Sequence, residues 1–187
     1  MVDITDAPDR RKLIDRPTLP FTSKEVPRSL QCNQQQDLEA ERVWQTRLPK
    51  KVQFFAWLLH HARLNCRAQL HRRNIRRAEE SCCELCPQLL EDDDHIFTRC
   101  PQASAVWSLL TILPQSTNCR YPWLIGKELL LPEAVHLDVI LMILWHLWKA
   151  RNAIIFDHQT STAKDIVLKV VHDMDRWGIR YKHHADD

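Results

Sequence analysis

Four side chains at fixed spacing constrain this chain more than any other feature: Cys83 and Cys86, then His95 after eight further residues, then Cys100 after four more. Two cysteines separated by two residues can aim at one ion from a single tight turn. A histidine and a cysteine placed like His95 and Cys100 can close a tetrahedron from the far side, across a helix start. Three thiolates and an imidazole make a closed structural zinc set, with bonds of about 2.3 Å to sulfur and about 2.0 Å to nitrogen. No position stays open for water, so such an ion holds shape and activates no nucleophile. The bound set keeps a net negative charge, which makes Arg99 a candidate for compensation. Cys82 lies one residue too far from Cys86 for the usual turn and reads as a neighbour. Cys32, Cys66 and Cys119 lack metal spacing and read as buried free thiols.

The same stretch needs an ion to fold. Residues 79–94 hold seven acidic side chains and no basic ones, with few apolar groups to bury. Zinc binding contributes about 10–16 kcal/mol in small finger peptides, enough to order such a loop. Upstream the sign reverses: residues 41–77 carry ten basic side chains against Glu41 alone. Arg63, Arg67, Arg72, Arg73, Arg76 and Arg77 are therefore candidate nucleic-acid contacts, with the last four as the centre of the patch. Binding of that kind reads phosphates without sequence and weakens steeply with salt.

Between these features the apolar pattern is helical. Val52, Phe55, Ala56 and Leu59 form the stripe of a core-facing helix after Pro49, which suits a first turn. A short helix is expected from Cys66 to about Arg73. Another opens at Pro101, with Val106, Leu109 and Leu110 facing inward. A long one runs from Glu133 to about Phe156, and a last one starts at the cap-like Thr162-Ala163-Lys164-Asp165 and carries Val167, Val170, Val171 and Met174 at helical spacing. The fold class is mainly α: a small helical domain with a zinc-stabilised loop of three cysteines and one histidine, followed by a long C-terminal helical pair. The expected organisation is a flexible leader over 1–38, a zinc-binding helical module over 39–112, a linker over 113–132 and C-terminal helices over 133–182. Trp57, Trp107, Trp145 and Trp148 sit on apolar faces and are expected in the core, whereas Trp123 is the least constrained.

Exclusions follow as well. Only Gly126 and Gly178 are glycines, and neither lies in a cluster, so phosphate-cradling loops and dinucleotide fingerprints are ruled out. The longest apolar run, 139–145, is seven residues, where a membrane span needs about twenty. No membrane span and no secretory signal are expected, and the cysteines are taken as those of an intracellular, reduced protein.

The Cys83, Cys86, His95, Cys100 spacing resembles the zinc-binding domain that follows the polymerase in plant non-LTR (LINE-type) retrotransposon reverse transcriptases. Flanking residues agree. Residues 48–59 are similar to the family's P-K-V-K-F-F-x-W helix. Arg63, Leu64, Arg67 and Leu70 match its R-L-x-T-R-x-x-L turn, with Cys66 where threonine is usual. Glu91, His95, Ile96 and Phe97 fit E-T-x-x-H-L-F, with Asp92 at the threonine. Cys100, Pro101, Ala105, Val106 and Trp107 fit C-P-x-A-R-x-V-W, with Ser104 in place of arginine. Residues 145–152 resemble the W-x-I-W-K-A-R-N segment that follows.

The resemblance implies one structural zinc, contact with template RNA or target DNA, a polymerase domain as neighbour, and the nucleus as compartment. No Tyr-x-Asp-Asp follows Tyr121 or Tyr181, and no dispersed carboxylate set suggests an RNase H site, so an enzyme is not expected. The alternatives are a protein-interaction or dimerisation module docking another chain, or itself, through the apolar 137–156 helix, and a degenerate retroelement fragment.

Overall fold

In the computed structural model, which describes residues 37–112 and 119–182, every regular element is helical. The segment expected as a leader lies outside the described residues except for its last two, and so does Cys32. Among the described residues six α-helices follow one another: α1 (Leu38–Trp44), α2 (Lys50–His60), α3 (Arg67–Arg72), α4 (Pro101–Leu109), α5 (Glu133–Asp157) and α6 (Ala163–Lys182). The described residues from Glu39 onward form one unit. The module over 39–112 and the C-terminal helices thus share a single core, with α5 packed on α2, on α6 and on the turn that precedes α4.

Local chemistry explains these helices. Pro49 sits at the entry to α2 with φ −55°, and Pro101 opens α4, where a missing N–H is harmless. The α2 stripe of Val52, Phe55, Ala56 and Leu59 is buried throughout. Before α6 the cap is reciprocal: the Asp165 N–H donates to Thr162 Oγ1 at 3.1 Å, and the Thr162 N–H donates to Asp165 Oδ2 at 3.0 Å. In α5 the run Ile140, Leu141, Met142, Ile143, Leu144 and Leu147 is enclosed. Over Val135–Asp157 this helix is long and apolar enough to cross a membrane. Here it is a core helix, with Asp138, His146 and Arg151 held in polar contacts.

Three sequence expectations are corrected. Leu109 is exposed and Ala103 is buried, so the inner face of α4 runs Ala103, Val106, Trp107 and Leu110, one register away from the expected set. In α6, Ile166 and Val170 carry the buried face and Val171 is exposed. The connection expected as a linker also supplies core: Cys119, Trp123 and Ile125 are buried. Trp123 is held because its ring lies 5.4 Å from His60 and beneath the Arg42 guanidinium at 5.7 Å.

Glycine scarcity leaves a mark on the backbone. Ala62, Asn74, Thr111 and His158 adopt φ of 54° to 56°, each just past a helix end where glycine would be the usual choice. Left-handed backbone costs a side chain roughly 1–2 kcal/mol, and most for β-branched Thr111. Gly126, at φ +66°, is required: a Cβ there would meet Ile140 Cδ1 at 2.9 Å. Thr111→Gly should accordingly raise stability by about 0.5–1 kcal/mol, since Thr111 is exposed and relief of strain outweighs the added chain entropy. Urea denaturation of the two proteins measures this, and an unchanged or lowered midpoint refutes it.

Candidate metal centre

The acidic stretch folds back on itself with little regular structure. Cys82 and Leu90 form an isolated antiparallel bridge, the Cys83 N–H donates to Leu89 O at 2.9 Å, and the Glu91 N–H donates to Ser81 O at 3.0 Å. The tip turns tightly, with the Cys86 N–H on Cys83 O at 3.2 Å. Backbone amides of Leu85 and Cys86 also point at the Cys83 sulfur. This is the sharp turn that the two-residue spacing demands.

The other half of the centre depends on an unusual turn. Residues His95–Arg99 form a π-helical turn, closed by the Cys100 N–H donating to His95 O at 2.7 Å. In an α-helix, side chains five positions apart differ by about 140° around the axis. The wider turn, whose bonds span five residues, and the extended Cys100 that follows bring the two side chains together. Its start is capped by Asp92, whose Oδ1 accepts the His95 N–H at 2.7 Å. The departure from threonine at this position therefore keeps a capping oxygen. Its carbonyls are served too: the Trp107 indole N–H donates to Phe97 O at 2.7 Å.

The result is convergence. Ligand atoms of Cys83, Cys86, His95 and Cys100 all lie within 4.8 Å of one another. Cys83, His95 and Cys100 are buried and Cys86 is half-buried. His95 Nε2 is buried without a hydrogen-bond partner in the protein, a costly state for a polar atom unless something else binds it. Cys100 caps α4, and the Gln102 amide points at its sulfur. Such amides favour thiolate. The Cys83 thiol is held down to about 5, first by its hydrogen bond from Cys100 and then, against burial, by the surrounding amides and His95. The mirror effect pushes Cys100 up, through that same bond and through burial; burial and the charge of Cys83 push Cys86 up. Three sulfurs crowded this closely share protons unless a cation replaces them. A soft donor set of three sulfurs and an orphaned imidazole nitrogen fits zinc.

Cys66 and Cys119 behave as inert thiols. Burial, and then the charge of Asp93, pushes Cys66 up to about 11, and burial raises Cys119. Cys82 stays outside the cluster. Arg99 pairs with Asp92 at 2.9 Å, on the solvent side.

A buried carboxylate, Glu91, ties this centre to the helices. Its Oε1 accepts the Arg67 N–H at the start of α3 at 3.2 Å, and its carbonyl accepts the Ala68 N–H at 2.9 Å. Both of its oxygens are bonded by the Arg151 guanidinium from α5, with Nε on Oε2 at 3.1 Å. Arg151 in turn lies over the Trp148 ring at 4.9 Å. Phe97 of the π turn packs 5.9 Å from Phe55 and 6.4 Å from Trp148, so three separate sequence segments close one aromatic cluster.

Residues 21–107 match the family described as zinc-binding in reverse transcriptase. That stretch, a little under half of the chain, is similar to the zinc-binding segment of reverse transcriptases. A protein of Arabidopsis thaliana, provisionally named a ribonuclease H protein, is 24% identical over 128 residues, covering 64% of this chain and 20% of that protein. The chain thus spans only a fifth of that relative's length. No solved structure matches. The reverse-transcriptase-type match ends at Trp107, whereas the partner of its buried Glu91 lies beyond it in α5.

The structure places the expected basic contacts unevenly. Arg63, Arg72, Arg73 and Arg77 are exposed, and Arg76 is half-buried with Nη1 on Glu80 O at 3.1 Å. Arg67 is buried instead, 9% exposed, and binds Cys82 O and Glu84. It fastens α3 to the metal hairpin and offers no outward charge. Nothing in the local sequence separates it from its arginine neighbours.

Glu91→Ala should leave Arg151 buried without its counter-charge and cost about 3–5 kcal/mol of stability. Adding Arg151→Met should recover part of that loss, because the two substitutions remove one shared interaction. Urea denaturation of the two variants and the parent decides; additive losses refute the pairing.

Proposed function

We propose that this chain is a non-catalytic zinc module of the plant LINE-type retrotransposon lineage, holding one structural zinc and contacting RNA or DNA through its outward arginines. The observation that carries the zinc is the convergence of Cys83, Cys86, His95 and Cys100 around a buried, unpartnered imidazole nitrogen. When bound, the ion supplies positive charge and cross-links the two halves of the hairpin. The chain's own residues do the rest: amides of Leu85, Cys86 and Gln102 point at the sulfurs, and Asp92 sets the turn that aims His95.

Elemental analysis of purified protein should find one zinc per chain, and His95→Ala should lose it. Chelation should melt the protein tens of degrees lower, since metal binding and folding are one equilibrium here. A protein that is metal-free as purified and melts unchanged with chelator refutes the assignment.

For nucleic acid, the support is charge segregation. Arg63, Arg72, Arg73 and Arg77 face outward on a stretch without carboxylates between 42 and 78. Their contacts would go to phosphates and position a strand rather than read it. Replacing Arg72, Arg73, Arg76 and Arg77 by alanine should reduce affinity and lower the slope of log affinity against log salt by about three to four. Gel shifts across a salt series measure it, and an unaltered slope removes these residues from the contact. Docking through α5 has less support, because its apolar midsection is covered by helices of this chain.

A further inference from the structure

The buried stripe of α2 leaves an opposite face that the core does not use. Phe54 lies on it, 53% exposed, at a position where the helix could have carried any polar residue. Its ring stacks on that of Trp57, with centroids 5.9 Å apart and planes within 13°. The Arg63 guanidinium sits over the Trp57 ring at 5.4 Å. One turn earlier Lys50 approaches the ring of Trp44 at 6.0 Å, and Trp44 is itself 42% exposed. Lys51 lies three positions before Phe54 on the same face and is exposed. Lys50, Lys51 and Arg63 form no ion pair among the described residues, and their own segment carries no carboxylate to neutralise them.

Flat apolar rings flanked by free cations suit one kind of occupant. Bases present π-faces of the same size, and the phosphates joining them carry the opposite charge. An apolar protein partner would leave the cations unpaired, and a duplex hides its base faces. We infer that the outer face of α2 is a stacking platform for a single-stranded nucleic acid, with Phe54 and Trp57 taking bases while Lys50, Lys51 and Arg63 take phosphates. This rests on the nucleic-acid reading above and assigns specificity for strand type to α2.

The test uses the full, zinc-loaded chain and fluorescence anisotropy with a labelled oligoadenylate as RNA, the same sequence as DNA, and a duplex of that DNA. At least one single strand should bind more tightly than the duplex. Phe54→Ala, at a solvent-exposed site, should weaken single-strand binding about tenfold and leave duplex binding unchanged. Phe54→Leu, which keeps apolar bulk without a ring, should show a similar loss. Lys50→Gln with Lys51→Gln should lower the salt slope by about one to two. Circular dichroism verifies that the variants retain helix. If Phe54→Ala binds like the parent while the fourfold arginine variant loses binding, the α2 platform is wrong and the broader reading survives. Absence of binding to all three probes sinks both.

Discussion

One buried carboxylate organises the molecule around the metal hairpin. Glu91 is 1% exposed, and a charge so deep is tolerable only when fully matched. Its carboxylate is met by the Arg67 N–H at the start of α3 and by the Arg151 guanidinium of α5, while its backbone bonds Ala68 of α3 and Ser81 of the hairpin. Because removing any one would leave charge or amide unmet in a low-dielectric site, the three parts hold a common geometry. The hairpin could not be placed by apolar burial, since its side chains are mainly acidic. It is placed by directional bonds to neighbours that do have apolar faces, and the Phe55, Phe97 and Trp148 cluster then closes the space alongside.

The donor set is prepared by backbone as much as by side chains. Sulfurs of Cys83 and Cys100 already receive amide N–H groups, one from a tight turn and one from the start of α4. Donors aimed in advance lower the cost of gathering three negative sulfurs in one place. Asp92 fixes the turn that carries His95, and Arg99 holds Asp92 from outside. Arg99 therefore acts on the centre through the cap.

Much of this was legible in the chain. The α2 stripe, the long α5, the reciprocal cap at Thr162 and Asp165, and the four converging donors follow from period and spacing, which are local properties. Most of the failures share a cause: they depend on partners distant in sequence. Arg67 looks like its neighbours Arg72 and Arg73 in a string of letters, yet its position at the first turn of α3 points it at Cys82 O and Glu84. Trp123 reads as a loop residue until His60 and Arg42 enclose it. Leu109 was misplaced because the face of α4 starts at Ala103, a residue too small to mark itself in an apolar pattern. Glu91 and Arg151 were visible only as letters of a family pattern; the bond between them spans sixty positions.

The π-helical turn carries an implication for how such a chain can change over time. Side chains along it are open to exchange wherever a replacement preserves size or a capping oxygen, as the aspartate at position 92 illustrates. Its residue count is another matter. Gaining or losing a single position between His95 and Cys100 would rewind the turn and swing one donor off the common point, however conservative the inserted residue. Descendants of this sequence can therefore drift far in composition while their spacing stays frozen, and a gap within this turn would mark the copies that have stopped folding.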